Sequence, residues 1–166
     1  MSSNNVIFEN IARSIHNNDN HLKYKNMLSE LGKLCIPELN QQFINQAYGI
    51  IEEIAYIKDK NDTIKAYAFT YPIEYGANIK TKKSISNVKI LAIKIICVGG
   101  NYRNRGYARK LIEEIEDRSK SHGYRYIIIE EPTENAKPFY DKIEYKYEEQ
   151  GELDGITLFD YYWKKL

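Results

Sequence analysis

The sequence predicts a mixed α/β fold, and three observations carry that prediction. An apolar run at 90–98 leads through a glycine-containing loop into a helical stripe, and a second apolar run follows at 124–130. Two strand-like runs at 54–57 and 64–71 flank a polar turn, the pattern of a β-hairpin. Two further strand-like runs close the chain at 145–150 and 155–164, around Gly151 and Gly155. Strand, helix, strand makes a right-handed parallel unit, whereas hairpins are antiparallel, so the sheet must be mixed.

Taken in order, residues 6–11 read as a first short strand. Residues 21–34 read as a helix, with Leu22, Met27, Leu28, Leu31 and Leu34 along it and Pro37 ending the pattern. A second short helix is expected within 41–51, before the hairpin. The polar stretch 74–87 holds Gly76, Lys80, Lys82 and Lys83 and reads as a solvated turn rather than a substrate loop. After the 90–98 strand, Ala108, Leu111, Ile112 and Ile115 fall at i, i+3, i+4 and i+7 of an amphipathic helix that Gly123 ends. Residues 124–130 form the next strand and 134–142 a short helix. The order is β-α(α)-βββ-α-β-α-ββ, which 166 residues can bury as one domain, 1–166.

Composition narrows the function classes. Charged residues are 28% of the chain and the formal net charge is +1, which argues against a nucleic-acid binder. Cys35 and Cys97 lie in apolar surroundings and read as reduced thiols of a cytoplasmic protein. His16, His21 and His122 lack metal-ligand spacing, so no metal is expected. Residues 1–5 lack a signal-peptide pattern, and no apolar run approaches a membrane span. Tyr161-Tyr162-Trp163 reads as a last core strand or an interface, which leaves monomer and homodimer open.

The loop between the 90–98 strand and its helix is the chemically informative segment. A helix N-terminus presents unpaired amides and the positive end of a dipole, which together hold phosphate. Arg103, Arg105, Arg109 and Lys110 add positive charge there.

Arg103-x-x-Gly106-x-Ala108 resembles the cofactor signature of the GCN5-related N-acetyltransferases, the GNAT superfamily. That signature runs Gln or Arg, two residues, Gly, one residue, then Gly or Ala. Ala136-Lys137-Pro138-Phe139-Tyr140-Asp141-Lys142-Ile143-Glu144-Tyr145 is similar to a second family block. The match covers about 90–147, which marks the cofactor-binding core. The resemblance implies a single GNAT-like domain: a central, mostly antiparallel sheet, flanked by helices, with a splayed parallel strand pair. It also implies acetyl-CoA as co-substrate. The backbone of Ile96, Cys97 and Val98 would then pair with the pantetheine arm, and the amides of Asn104, Arg105, Gly106, Tyr107 and Ala108 would bind the diphosphate. Arg103 and Arg109 would face its charge. Thr133 stands where the family often has a cofactor-contacting Asn, with Asn135 off register, and Glu144-Tyr145 replaces the usual Gly-Phe.

Acetyl transfer to an amine needs a stabilised oxyanion and a proton for the departing thiolate. A CoA thiol resembles Cys, with a pKa of about 8.5, whereas Tyr sits near 10, so a Tyr is protonated at pH 7. The resemblance places Tyr140 as the general acid and a backbone N–H near Val98 as the oxyanion donor. Glu130 is the leading candidate for the base, with Glu52, Glu53, Glu74 or a water relay as alternatives. The expected function is N-acetylation of a primary amine, on a small molecule or peptide not named by the sequence. The alternative is a CoA-binding sensor or interaction module without turnover.

Overall fold

In a computed structural model of the chain, the described residues are 5–10, 51–73 and 89–166, with Asn26, Ser29, Glu30 and Cys35. Seven strands follow one another in the hydrogen-bonded order β1-β2-β3-β4-β5-β7-β6. They are β1 (Val6–Asn10), β2 (Glu53–Lys58), β3 (Ile64–Pro72), β4 (Ile90–Val98), β5 (Tyr126–Glu130), β6 (Lys146–Leu153) and β7 (Ile156–Lys165). Two described helices accompany them, α1 (Tyr107–Ser121) and α2 (Lys137–Lys142). Asn26, Ser29 and Glu30 are helical, in keeping with a helix across 21–34, and Cys35, one residue past that range, is helical too. The rest of that prediction, the helix within 41–50 and the 74–87 stretch lie outside the described residues.

The described residues form two compact units. One takes those up to Tyr71 together with Ile95–Glu114, and the other takes those of Pro72–Lys94 and Ile115–Leu166. In the first, β1 pairs antiparallel with β2, and β2 with β3. The turn between β2 and β3 is closed by the Asp59 carboxylate, which accepts from the amides of Asn61 and Thr63 at 2.8 and 3.0 Å. Strands β2 and β3 are buried over most of their length, with Ile54, Ile57, Ala66, Tyr67 and Ala68 inaccessible to water. Large apolar side chains at such positions are each worth roughly 1.5–3 kcal/mol.

In the second unit, β4 and β5 run parallel over four pairs, Ile90↔Tyr126 to Ile93↔Ile129, while β4 itself continues to Val98. Both strands are apolar because a parallel pair is covered on both faces. β5 pairs antiparallel with β7, and β7 with β6. Tyr161 and Tyr162 are buried, as a last core strand requires.

Cys35 and Cys97 depart from the expectation of reduced thiols: they are joined as a disulfide with Cα atoms 5.9 Å apart. A sequence separation of 62 leaves no spacing pattern from which the pairing could be read.

Candidate functional site

Strand β4 ends in the loop that leads to α1, and the backbone there is shaped by glycine. Gly99 donates to Lys65 O on β3 at 2.9 Å, and a short 3₁₀ turn over Gly100–Tyr102 follows. Asn104 (φ 60°) and Gly106 (φ 81°) adopt left-handed backbone, which Asn tolerates and Gly adopts freely. Lys110 N–H donates to Gly106 O at 3.0 Å, the i→i−4 bond that begins the helix. The amides of Tyr107, Ala108 and Arg109 precede that bond and are the unpaired donors of the first turn. Among the described residues nothing accepts from the amides of Asn104, Arg105 or Gly106. Among the described residues a Cβ placed on Gly106 would meet no atom within 4 Å, so they leave open space at the loop.

The helix itself is held by the predicted stripe, with Leu111 and Ile112 buried in the first unit and Ile115 in the second. It stops in a Schellman arrangement: Gly123 has φ 80°, and the amides of Gly123 and Tyr124 reach Lys120 O and Ser119 O.

Ten predicted cofactor residues, Ile96, Cys97, Val98, Arg103, Asn104, Arg105, Gly106, Tyr107, Ala108 and Arg109, thus form one continuous strand-loop-helix segment in the first unit. Arg103, Asn104, Arg105, Gly106 and Arg109 are exposed. Arg103 Nε donates to Val98 O at 3.4 Å, whereas Arg105 and Arg109 have no ion pair among the described residues. Cys97 is buried in its disulfide, so only its backbone is open to the predicted role. Two residues of this region were not singled out as site residues by the sequence. Lys65 Nζ donates to Tyr107 Oη at 3.4 Å, and the Tyr102 and Tyr107 rings meet edge to face at 6.4 Å. Lys65 arrives through strand pairing, which leaves no local motif.

Thr133, Tyr140 and Glu130 belong to the second unit. Thr133 is exposed ahead of a short 3₁₀ turn, and its side chain caps nothing. Tyr140 sits on α2 with its ring 5.4 Å from Phe139 and 5.3 Å from Tyr162, and only 7% of it is exposed. Its hydroxyl has no hydrogen-bond partner among the described residues. Burial, with a smaller contribution from Tyr162, pushes the phenol up to about 12.

Glu130 is engaged: Lys94 Nζ lies 3.5 Å from it and 3.1 Å from Glu131. Burial works against the Lys94 charge, but the hydrogen bond it donates to Glu131 and the fields of both carboxylates outweigh it and raise its pKa. Tyr145, in place of the family's Phe, donates to the buried Glu116 at 3.0 Å, and Lys164 holds both Glu116 oxygens at 3.1 Å. The added hydroxyl therefore has a partner. Among the described residues no His, Cys, Asp and Glu cluster could hold a metal, and no helix is long and apolar enough to cross a membrane.

Comparison with known proteins bears on the family and the fold. Residues 33–145 match the model of the acetyltransferase (GNAT) family. A GNAT family acetyltransferase from Elizabethkingia anophelis, solved with acetyl-CoA bound, is similar at TM-score 0.60 and 17% identity, covering 99% of this chain and 100% of that one. The GNAT family N-acetyltransferase YhbS from Escherichia coli, in complex with CoA, is similar at TM-score 0.62 and 10% identity, over 97% and 80% of the two chains. An acetyltransferase of the GNAT family from Staphylococcus aureus Mu50 gives TM-score 0.63 at 12% identity, over 97% and 99%. Identities this low show a shared fold alone. No curated protein matches the sequence.

Proposed function

The chain belongs to the acetyltransferase (GNAT) family, and from that premise we propose that it transfers the acetyl group of acetyl-CoA directly to a primary amine, with Tyr140 as general acid. In this reading 1–166 is one acetyltransferase domain acting as a monomer or homodimer on a small-molecule or peptide amine; its cytoplasmic placement is kept without the reduced-thiol argument, which the Cys35–Cys97 bond removes.

The chain's own residues fit the co-substrate. The open space at Gly106 and the uncommitted amides of Asn104, Arg105 and Gly106 suit a diphosphate. Arg103, Arg105 and Arg109 supply charge around it, and the backbone of Ile96–Val98 is the segment that would pair with the pantetheine arm. Thr133 is a further contact in this reading. Bound acetyl-CoA supplies the acyl group already activated as a thioester.

The observation that carries the chemistry is the Tyr140 hydroxyl: nearly enclosed by protein, protonated at neutral pH, and free of any partner among the described residues. Its proton is the one passed to the departing sulfur. Giving it up to a thiolate of pKa about 8.5 from a phenol near 12 is uphill by about 5 kcal/mol, at 1.36 kcal/mol per unit. A barrier of about 15 kcal/mol still passes tens of turnovers a second, so this step is affordable. A backbone N–H near Val98 stabilises the oxyanion. Glu130 acts as base only if Lys94 releases it; otherwise a water relay or another glutamate takes the amine's proton.

Release of CoA thiol with a panel of amines tests the reading. Tyr140→Phe keeps the ring packing and should lower kcat by about 10²–10⁴ while leaving CoA affinity within about twofold. Unchanged turnover in Tyr140→Phe removes the general acid. CoA binding without turnover on any amine points instead to a sensor or interaction module.

A further inference from the structure

We infer that Lys65 and the Tyr107 hydroxyl form a phosphate-binding pair for the ADP end of the co-substrate, carried to the start of α1 from β3. The inference rests on reading residues 96–109 as the cofactor segment.

Lys65 is placed by the sheet. Its carbonyl accepts from Gly99 N–H, so the residue sits beside the first position after β4. Its Nζ donates to Tyr107 Oη at 3.4 Å and lies 5.4 and 5.9 Å from the Tyr107 and Tyr102 ring centres. The two rings brace each other edge to face, at 82° between planes. Aromatic faces attract a cation and fix its direction without neutralising it. The ammonium is therefore aimed, and less freedom remains to be lost when an anion arrives.

The charge is also of the wrong sign for its place. Tyr107 is the first residue of α1, and a helix N-terminus favours negative charge. No carboxylate pairs with Lys65 among the described residues. Asp59 feels its field, but that carboxylate is already taken up by the amides of Asn61 and Thr63. A half-buried cation next to a helix start, with no carboxylate paired to it among the described residues, is matched by an anion from outside. Tyr107 adds the complementary donor: its oxygen accepts from Lys65, so its own proton remains available to a phosphate oxygen.

The test measures binding of CoA, 3′-dephospho-CoA and S-acetylpantetheine to the full chain. Lys65→Met keeps the stem and removes the charge. It should weaken CoA about tenfold, leave S-acetylpantetheine unchanged, and show a gap from wild type that narrows as salt rises. Lys65→Arg should restore most of the loss. If the loss vanishes with 3′-dephospho-CoA the pair faces the 3′-phosphate, and if it persists the pair faces the diphosphate; either outcome supports it. CoA affinity within twofold in Lys65→Met overturns the inference, as does an equal loss in Lys65→Arg, which would mark packing rather than charge. Wild-type protein that binds no CoA brings down the underlying cofactor reading, a result the variants cannot mimic.

Discussion

Replacing Gly106 by alanine separates what the loop needs in order to fold from what it needs in order to bind. Gly106 has φ 81°, and left-handed backbone costs an L-residue roughly 1–2 kcal/mol. Among the described residues no steric term adds to this, because the new Cβ would find none of their atoms within 4 Å. Alanine also narrows the unfolded ensemble, which returns up to about 1 kcal/mol. The net loss should be about 1 kcal/mol, or about 2–4 °C in Tm for a chain of this size. Binding should suffer far more. The methyl group would occupy the space left open in front of the amides and displace one charge-assisted amide–phosphate bond, worth about 1.5–3 kcal/mol. That converts to a loss of CoA affinity of about tenfold to over a hundredfold. Thermal unfolding measured beside titration calorimetry with CoA resolves the two effects. A Tm drop beyond about 10 °C would mean the Cβ meets structure after all. A normal Tm with undiminished CoA affinity would refute the loop as the phosphate site.

Gly151→Ala should behave in the opposite way: its Cβ would overlap Glu148 Oε2 and Tyr161 Oη and displace a carboxylate that accepts from Tyr161 and Trp163 at 2.9 Å each. Stability should fall by about 2–4 kcal/mol in denaturant titration, with CoA affinity unchanged in whatever remains folded. Alkaline pH should unfold the protein in a defined window, because burial holds Tyr140 near 12 and raises Tyr67 and Tyr145 as well. A tyrosine raised in the folded state keeps its full contribution below the unfolded value near 10 and loses it as pH climbs through the folded value; Tyr140 alone accounts for about 3 kcal/mol between pH 10 and 12. Denaturant midpoints that stay flat across that window would contradict its burial. Thiol titration of unfolded, unreduced protein should find no free cysteine, and two after reduction. With the partners separated by 62 positions, reduction should lower stability by about 4 kcal/mol, and two free thiols at the outset would remove the disulfide.

The parts of the fold written in local pattern were legible. The 90–98 run became β4 with the same bounds, and the stripe from Ala108 to Ile115 became α1, because each needs only its own periodicity. The hairpin of β2 and β3 announced itself by its polar turn. Glycine was the less reliable sign. Gly151 was read as a break between the last two strands, yet it lies inside β6, where its missing side chain makes room for the Glu148 carboxylate and the Tyr161 hydroxyl. The true turn is Asp154-Gly155, both with positive φ, between the paired Leu153 and Ile156.

What stayed hidden is what depends on a partner distant in the chain. The Lys94 ion pairs with Glu130 and Glu131, the Cys35–Cys97 bond and the Lys65–Tyr107 contact each join residues about 36 to 62 positions apart. No single-sequence spacing encodes such a pair; the strand order creates it. For the candidate site this divides the labour in a physical way. The diphosphate segment is one stretch of chain, so its amides, its glycine and its arginines follow one another in the sequence and could be read there. The charge that complements it comes from β3, and the candidate base Glu130 lies on β5, held there by Lys94 of β4. Their effect on the chemistry follows from the fold: beside a helix start one cation has no carboxylate paired with it among the described residues, and one carboxylate is left with a cation it must release before it can act as a base.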